Sequence, residues 1–295
     1  MIVGVDERNK VILTTTPIIG ARSEGYRVIT LRQVPRILVD RTIVYRPLIS
    51  GISIGHEEIT AGTLSCPVMR DGEYYILSNA HVFHPRPWET TPSATLRIMQ
   101  PGPHDININY PNVDVSKFHA VNFVEHVPVN VERASTCPTA RIWAGVYNTF
   151  AELFGARTRL IPSVEVEPNK VDAAIGKPIV DFEDMILGDD GSLFKPNGIV
   201  GLLFAGSDVD KIYIVCKASN IQKLLGVRFL HGIYEPQLDE IVHKCGRTTG
   251  HTSGPVVSTS MSTRVWYGVG FAPFDDCIVV SAGCSGGDSG SLVYV

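Results

Sequence analysis

Turn residues interrupt this chain so often that only short elements fit between them. Its 295 residues include 27 glycines and 19 prolines. Between these lie brief apolar runs such as Val171-Asp172-Ala173-Ala174-Ile175, Ile199 to Phe204, Ile212 to Val215 and Cys277 to Val280. Runs of this length, bounded by turn formers, read as strands. With 44% hydrophobic and 19% charged residues the chain has the balance of a globular protein and apolar surface enough for a sizeable core. The pattern predicts an all-β protein.

Charge and cysteine usage narrow the function. A formal net charge of -4 gives no broad basic surface for a phosphate backbone, so nucleic acid is not expected as the main partner. Met1 to Arg8 lacks a basic stretch leading into an apolar run and a cleavage site, and charges, glycines and prolines break every hydrophobic run. The expectation is a cytoplasmic protein without a membrane partner. Cys66, Cys137, Cys216, Cys245, Cys277 and Cys284 are scattered without a Cys-x-x-Cys pair, which predicts buried thiols and no metal site. In an oxidising source, Cys277 with Cys284 is the pair expected to bridge.

Residues 1–47 read as an N-terminal extension with some strand content, 48–180 as a first barrel, and 181–295 as a second. Arg70-Asp71-Gly72-Glu73 is a turn between two strand-like runs, and the hairpin delivers His81 at its far end. Across 137–157, Ile142, Trp143, Val146, Tyr147, Phe150, Leu153 and Phe154 recur at helical spacing, which predicts one inserted amphipathic helix whose aromatic stripe packs on the protein. A short helix from Ser219 to Leu225, capped by Ser219 or Asn220, is expected in the second half.

Three segments carry chemistry. Gly286-Gly287-Asp288-Ser289-Gly290-Ser291 presents a serine on a glycine-flanked loop, where the amides of Gly287 and Ser289 can converge on a developing oxyanion. A serine needs a base, and Ser78-Asn79-Ala80-His81 places an imidazole at a strand end; none of the other eight histidines has a comparable setting. Asp172 lies in an apolar strand, where a carboxylate needs a partner and an imidazole N–H is one. Asp105 and Asp114 are the competing acids, and a glycine-rich turn is the bland reading of the serine loop.

Together these residues resemble the chymotrypsin-like serine peptidases, in the chain order His81, Asp172, Ser289 with the Gly-Asp-Ser-Gly signature. Ser53-Ile54-Gly55-His56, Thr60-Ala61-Gly62-Thr63-Leu64, Gln100-Pro101-Gly102-Pro103 and Gly246-Arg247-Thr248-Thr249-Gly250 look like a microbial branch of that family, and the resemblance spans about residues 45 to 295. It implies two six-stranded antiparallel β-barrels and a serine endopeptidase acting on protein or peptide substrates through an acyl-enzyme, without a metal or organic cofactor. It implies a catalytic triad of His81, Asp172 and Ser289, and an oxyanion hole of Gly287 and Ser289. Phe204, Ala205 and Gly206 resemble the edge strand that pairs with substrate, and Gly206 and Gly283 imply an apolar primary preference. Asp288 needs a buried partner, which in digestive relatives is a freed N-terminus. The alternatives are a catalytically silent binding module on the same fold and a protease restricted to processing itself.

One block is displaced. Gly198 to Ser207, continuing to Val227, resembles what normally follows the catalytic serine but here precedes it, which implies a circularly permuted second barrel. Leu292 to Val295 is then expected to pair antiparallel with Ile199 to Phe204, bringing Val295 beside Pro196 and Asn197. Gly188-Asp189-Asp190-Gly191-Ser192-Leu193 repeats the pattern of the serine loop with Asp190 in the serine's place; it reads either as a relic of duplication or as an ordinary turn.

Overall fold

The computed structural model describes residues 39–90, 96–156, 158, 160, 162–207 and 209–295, and the backbone of three N-terminal strands. By its contacts the chain divides into Met1–Val39 and Asp40–Val295. In the first unit, Ile2–Val5 pairs antiparallel with both Val11–Thr14 and Arg27–Thr30. The rest of the expected extension before residue 39 lies outside the described residues. The second unit starts before the expected boundary at 48, because Arg41 is buried and its guanidinium donates to the carbonyls of Gly51 and Leu187 and to Asp189.

Two rings of antiparallel strands dominate the second unit, beside a small sheet in which Phe182–Leu187 pairs parallel with Leu48–Ser50 and antiparallel with Leu193–Phe194. In the first ring, Gly62–Thr63 and Pro67–Arg70 run on through 64–66 as one bent strand. It pairs with Ser53–His56 at one end and Glu73–Ser78 at the other. Hydrogen bonds from Ser65 N to Leu77 O and from Leu77 N to Cys66 O bridge the bend. Ala174–Pro178, His119–His126 and Arg97–Met99 complete the circuit back to Ser53–His56. The second ring is a closed barrel of Ile199–Ser207, Ile212–Lys217, Phe271–Val280, Gly250–Trp266, Ile241–Gly246 and Leu292–Tyr294. The protein is thus all-β with two six-stranded barrels, the chymotrypsin-like architecture.

Ile199 to Phe204 is apolar on both faces because both are covered. Val200 and Leu203 point into the second barrel with Tyr213, Val242 and Ile278. Ile199, Leu202 and Phe204 belong to the cluster that holds Val68, Leu77 and Ile175 of the first barrel. At its outer edge this strand receives the end of the chain, with Ile199 opposite Tyr294, Gly201 opposite Val293 and Leu202 opposite Leu292. Asn197 N donates to Val295 O at 2.9 Å. The pairing expected of the displaced block is present. Gly188–Leu193 forms a tight turn, with Gly188 N bonded to Ser192 O, between the strands Phe182–Leu187 and Leu193–Phe194.

The helices depart from expectation in instructive ways. The inserted helix spans Pro138–Leu153, and Arg157 at its expected end lies outside the described residues. Its stripe does not pack: Trp143, Phe150 and Phe154 are 68%, 57% and 78% exposed, while the buried positions are Ala144 and Ala151. Helical spacing identified an apolar face, but the contacting edge is the small-residue one beside it. The second helix runs Ala218–Leu225; its N-cap position is Lys217, whose side chain makes no capping bond, and not Ser219 or Asn220. Ala218, Ile221 and Leu225 are its buried face, and the strand before it runs directly into the first turn. No helix among the described residues is long and apolar enough to cross a membrane. None of the six cysteines is in a disulfide, so Cys277 and Cys284 do not bridge; Cys284 Sγ instead donates to Ile212 O.

Candidate active site

His81 sits in the first turn of a short helix, Ala80–Phe83, and not at the end of the strand Glu73–Ser78 that precedes it. Asn79 sets the turn: its side chain donates to Asp172 O at 2.7 Å, while its carbonyl accepts from Val82 and Phe83. This fixes the start of the His81 helix to the residue that faces the imidazole. The Asp172 carboxylate is fully buried; Oδ1 accepts the His81 main-chain N–H at 3.2 Å, and Oδ2 is hydrogen-bonded to His81 Nδ1. The imidazole keeps 30% exposure, so one edge meets solvent.

The pair shifts its members in opposite directions. Burial alone would depress the His81 pKa, but the facing Asp172 charge and its hydrogen bond outweigh burial and hold it above the ordinary 6.5. For Asp172, burial would raise the pKa, and His81 together with the donors around the carboxylate brings it below the ordinary value. The competing acids are committed elsewhere. Asp105 is buried against Arg247, whose Nε donates to it at 2.7 Å, and it accepts the Ser53 hydroxyl at 2.5 Å. Asp114 caps the short turn Val115–Phe118 by accepting Ser116 N. Among the other histidines, His84 stacks on His126 with ring centres 4.7 Å apart, and burial with that neighbour pushes its pKa down to about 4.

The serine loop is shaped by backbone that only glycine tolerates easily. Gly287 and Gly290 have φ of +95° and +93°, and a Cβ on Gly290 would lie 2.3 Å from Thr63 O and 2.4 Å from Ser78 Oγ. Thr63 of the first barrel grips the loop on both sides of Asp288: its hydroxyl donates to Gly287 O at 2.8 Å and its N–H to Ser289 O at 2.8 Å. A Cβ on Gly62 would meet both the Val82 side chain and Ser289 O. Ser289 therefore lies beside the helix that carries His81. Among the described residues no hydrogen bond joins Ser289 Oγ to His81, so the expected second link of the imidazole is not made. Within the loop Asp288, Gly290 and Ser291 spend their amides on protein carbonyls, whereas among the described residues those of Gly287 and Ser289 do not.

Asp288 has the partner it needs. Lys244 Nζ lies 3.1 Å from its Oδ2, Thr249 Oγ1 donates at 2.6 Å, and the amides of Thr248, Thr249 and Ser285 complete the ring of donors. Burial would raise this carboxyl; Lys244 and those donors hold it below the usual range. Lys244 escaped the sequence reading, although the alternation Val242, Lys244, Gly246 placed a lysine on the inward face of a strand, where an ammonium requires a counterion.

Of the residues expected to meet substrate, Phe204 lines a cavity with His81. Gly206 pairs with Tyr213 and Ala205 with Ile214, but among the described residues the other edge of Phe204–Gly206 is unpaired. The Phe204 side chain is buried against Phe274 with ring centres 4.5 Å apart. A Cβ on Gly206 would lie 2.2 Å from Cys284 Sγ, whereas around Gly283 there is open space. A cavity of about 270 Å³ opens next to His81, walled by Trp88, Phe204, Trp266 and Tyr267. Trp266 and Tyr267 belong to the tip of the Gly250–Trp266/Phe271–Val280 hairpin, which the sequence reading did not assign to the site. No group of histidine, cysteine and acidic side chains suited to a metal ion occurs among the described residues.

No family model and no curated protein matches the chain. Among solved structures it is similar to Thermobifida fusca Protease A, at 11% identity over 84% of this chain and 77% of that one, with a TM-score of 0.42. It is also similar to a glutamic acid specific serine protease, at 14% identity, 84% and 92% coverage and a TM-score of 0.33. A third similar structure is Nocardiopsis protease, at 10% identity, 84% and 90% coverage and a TM-score of 0.36.

Proposed function

We propose that this chain is a serine endopeptidase in which Ser289 attacks the scissile carbonyl, His81 carries the proton and Asp172 orients the imidazole. The observation that carries the reading is the fully buried Asp172 carboxylate bonded to Nδ1 of His81, which leaves Nε2 for the serine. Substrate binding closes the gap between Nε2 and Ser289 Oγ, as such bonds commonly tighten only in the Michaelis complex. The uncommitted amides of Gly287 and Ser289 receive the oxyanion, and water then releases the acyl group. No step needs a cofactor or metal.

Substrate adds a strand to the open edge of Phe204, Ala205 and Gly206. Because Cys284 Sγ fills the face of Gly206, the primary pocket between Gly206 and Gly283 takes a small apolar side chain. The apolar cavity beside His81 takes the side chain that precedes it. The second barrel is circularly permuted: the displaced strand Ile199–Ser207 stands where a strand following Leu292–Tyr294 would stand, and the pairing of these two segments supports that reading.

A fluorophosphonate probe tests the mechanism. Wild-type protein is expected to be labelled and Ser289→Ala is not, with equal circular dichroism. Absence of labelling in folded wild type would favour the silent binding module instead.

A further inference from the structure

A buried carboxylate needs a donor for each of its oxygens, and the donors of Asp172 come from both barrels. His81 supplies two. The third is the phenol of Tyr267, which donates to Oδ2 at 2.5 Å. Tyr267 follows Trp266 at the end of the long strand Gly250–Trp266, and its N–H bonds Gly270 O across the hairpin tip. Its ring lies near-parallel to Phe274, centres 6.1 Å apart, and meets the His81 ring edge-on at 6.1 Å and 89°.

The hairpin is held where this contact requires. Glu132 N donates to Phe271 O at 2.8 Å, and Arg264 pairs with Glu132. The Asn169 side chain donates to Pro273 O at 2.9 Å, and Asp275 N donates to Asn169 O at 2.9 Å. These anchors lie on the first-barrel side of the chain, in the segment leading to Asp172. Burial, and then the Asp172 charge, hold the phenol far above its ordinary pKa, so it remains a donor.

We propose that Tyr267 is a positioning residue of the reaction, its hydroxyl fixing the rotation of the Asp172 carboxylate and, through it, the tautomer and aim of His81. This rests on the triad reading above. With Oδ1 held by the His81 amide and Oδ2 by the phenol, the carboxylate cannot turn away when the imidazole takes a proton. The phenol also draws off part of the charge that Oδ2 presents to the imidazolium. A ring that served only to pack would do neither.

The test is Tyr267→Phe in the full chain, which keeps the ring. Peptide hydrolysis is expected to lose roughly 10- to 100-fold in kcat, the worth of a hydrogen bond to a charged group, with KM unchanged. The acid limb of the pH profile is expected to move to higher pH, because the full Asp172 charge then falls on the imidazolium. Wild-type kcat together with a wild-type acid limb would overturn the proposal. If the variant does not fold, 3-fluorotyrosine at position 267 keeps ring and hydroxyl and donates more strongly. The acid limb is then expected to move to lower pH, and an unmoved limb overturns the proposal. Fluorophosphonate labelling of wild type and Ser289→Ala separates the two readings. Equal labelling of both removes the triad and this proposal with it, whereas a labelled wild type with an indifferent Tyr267→Phe removes the proposal alone.

Discussion

Lys244 and Asp288 form an ion pair 3.1 Å long in which neither side chain is exposed at all. The lysine comes from the strand Ile241–Gly246, and the acid immediately precedes Ser289. The serine loop is thus held from within the folded barrel, by a charge already present in the chain.

Breaking that pair leaves a buried charge uncompensated. Lys244→Met is expected to lower stability by about 3–5 kcal/mol, well beyond the effect of a surface lysine. Urea unfolding measures it. A loss no larger than that of Lys223→Met, in the last turn of an exposed helix face, would show that the pair is not what holds the loop.

The same pair predicts how stability responds to acid. Asp288 has a folded pKa below its unfolded value near 3.9, so between those two values the unfolded state binds more protons. The contribution is complete above the unfolded value and is lost as pH falls through the folded one. Asp172 acts in the same direction. Urea midpoints of wild type should therefore fall in that acid window. Asp288→Asn should show a weaker dependence there; an identical slope would remove Asp288 from the account.

On the proposed mechanism, activity is governed by His81 at a higher pH. The imidazole must be neutral to accept the serine proton, and its pKa lies above 6.5 because the Asp172 charge outweighs burial. The acid limb of kcat/KM is expected above 6.5. Asp172→Asn removes that charge and favours the wrong tautomer, so the rate should drop by about 10⁴. Asp105→Asn, which disturbs the Arg247 pair and the bond from the Ser53 hydroxyl, should reduce stability first. If Asp105→Asn abolished labelling and Asp172→Asn did not, the acid would be misassigned.

What the sequence made legible was local. The hairpin turn at Asp71 and Gly72, both with positive φ, the serine loop and the short apolar strands are each written in a few consecutive residues. His81 and Asp172 were found because each sits in a distinctive neighbourhood. Tyr267 was not, since nothing around Trp266-Tyr267-Gly268 signals an acid 95 residues away. The inserted helix marks another limit: a periodic stripe identifies a helix but not which edge touches the protein, and two alanines form that edge.

The permutation reading makes a prediction about chain connectivity. Gly198, Tyr234 and Val295 converge at one point: a Cβ on Gly198 would lie 2.9 Å from Tyr234 Cβ and 3.4 Å from Val295 Cγ2. Tyr234 N donates to Ile199 O, and Val295 N to Gly198 O. The chain can therefore be cut before Gly198, with Asn197 joined to Glu235 and Val295 joined to Gly198 through short glycine linkers. Every strand pair of the second barrel survives, and Leu292–Tyr294 then leads directly into Ile199–Ser207 through a hairpin. Loop closure at this length changes stability by only about 1 kcal/mol, so nothing in the energetics forbids the reordered chain. It is expected to fold cooperatively, give the circular dichroism of wild type and label at Ser289 at a comparable rate. A reordered chain that collapses without cooperative unfolding, while a control with glycine inserted between Asn197 and Gly198 still folds, would mean that this barrel depends on its present strand order.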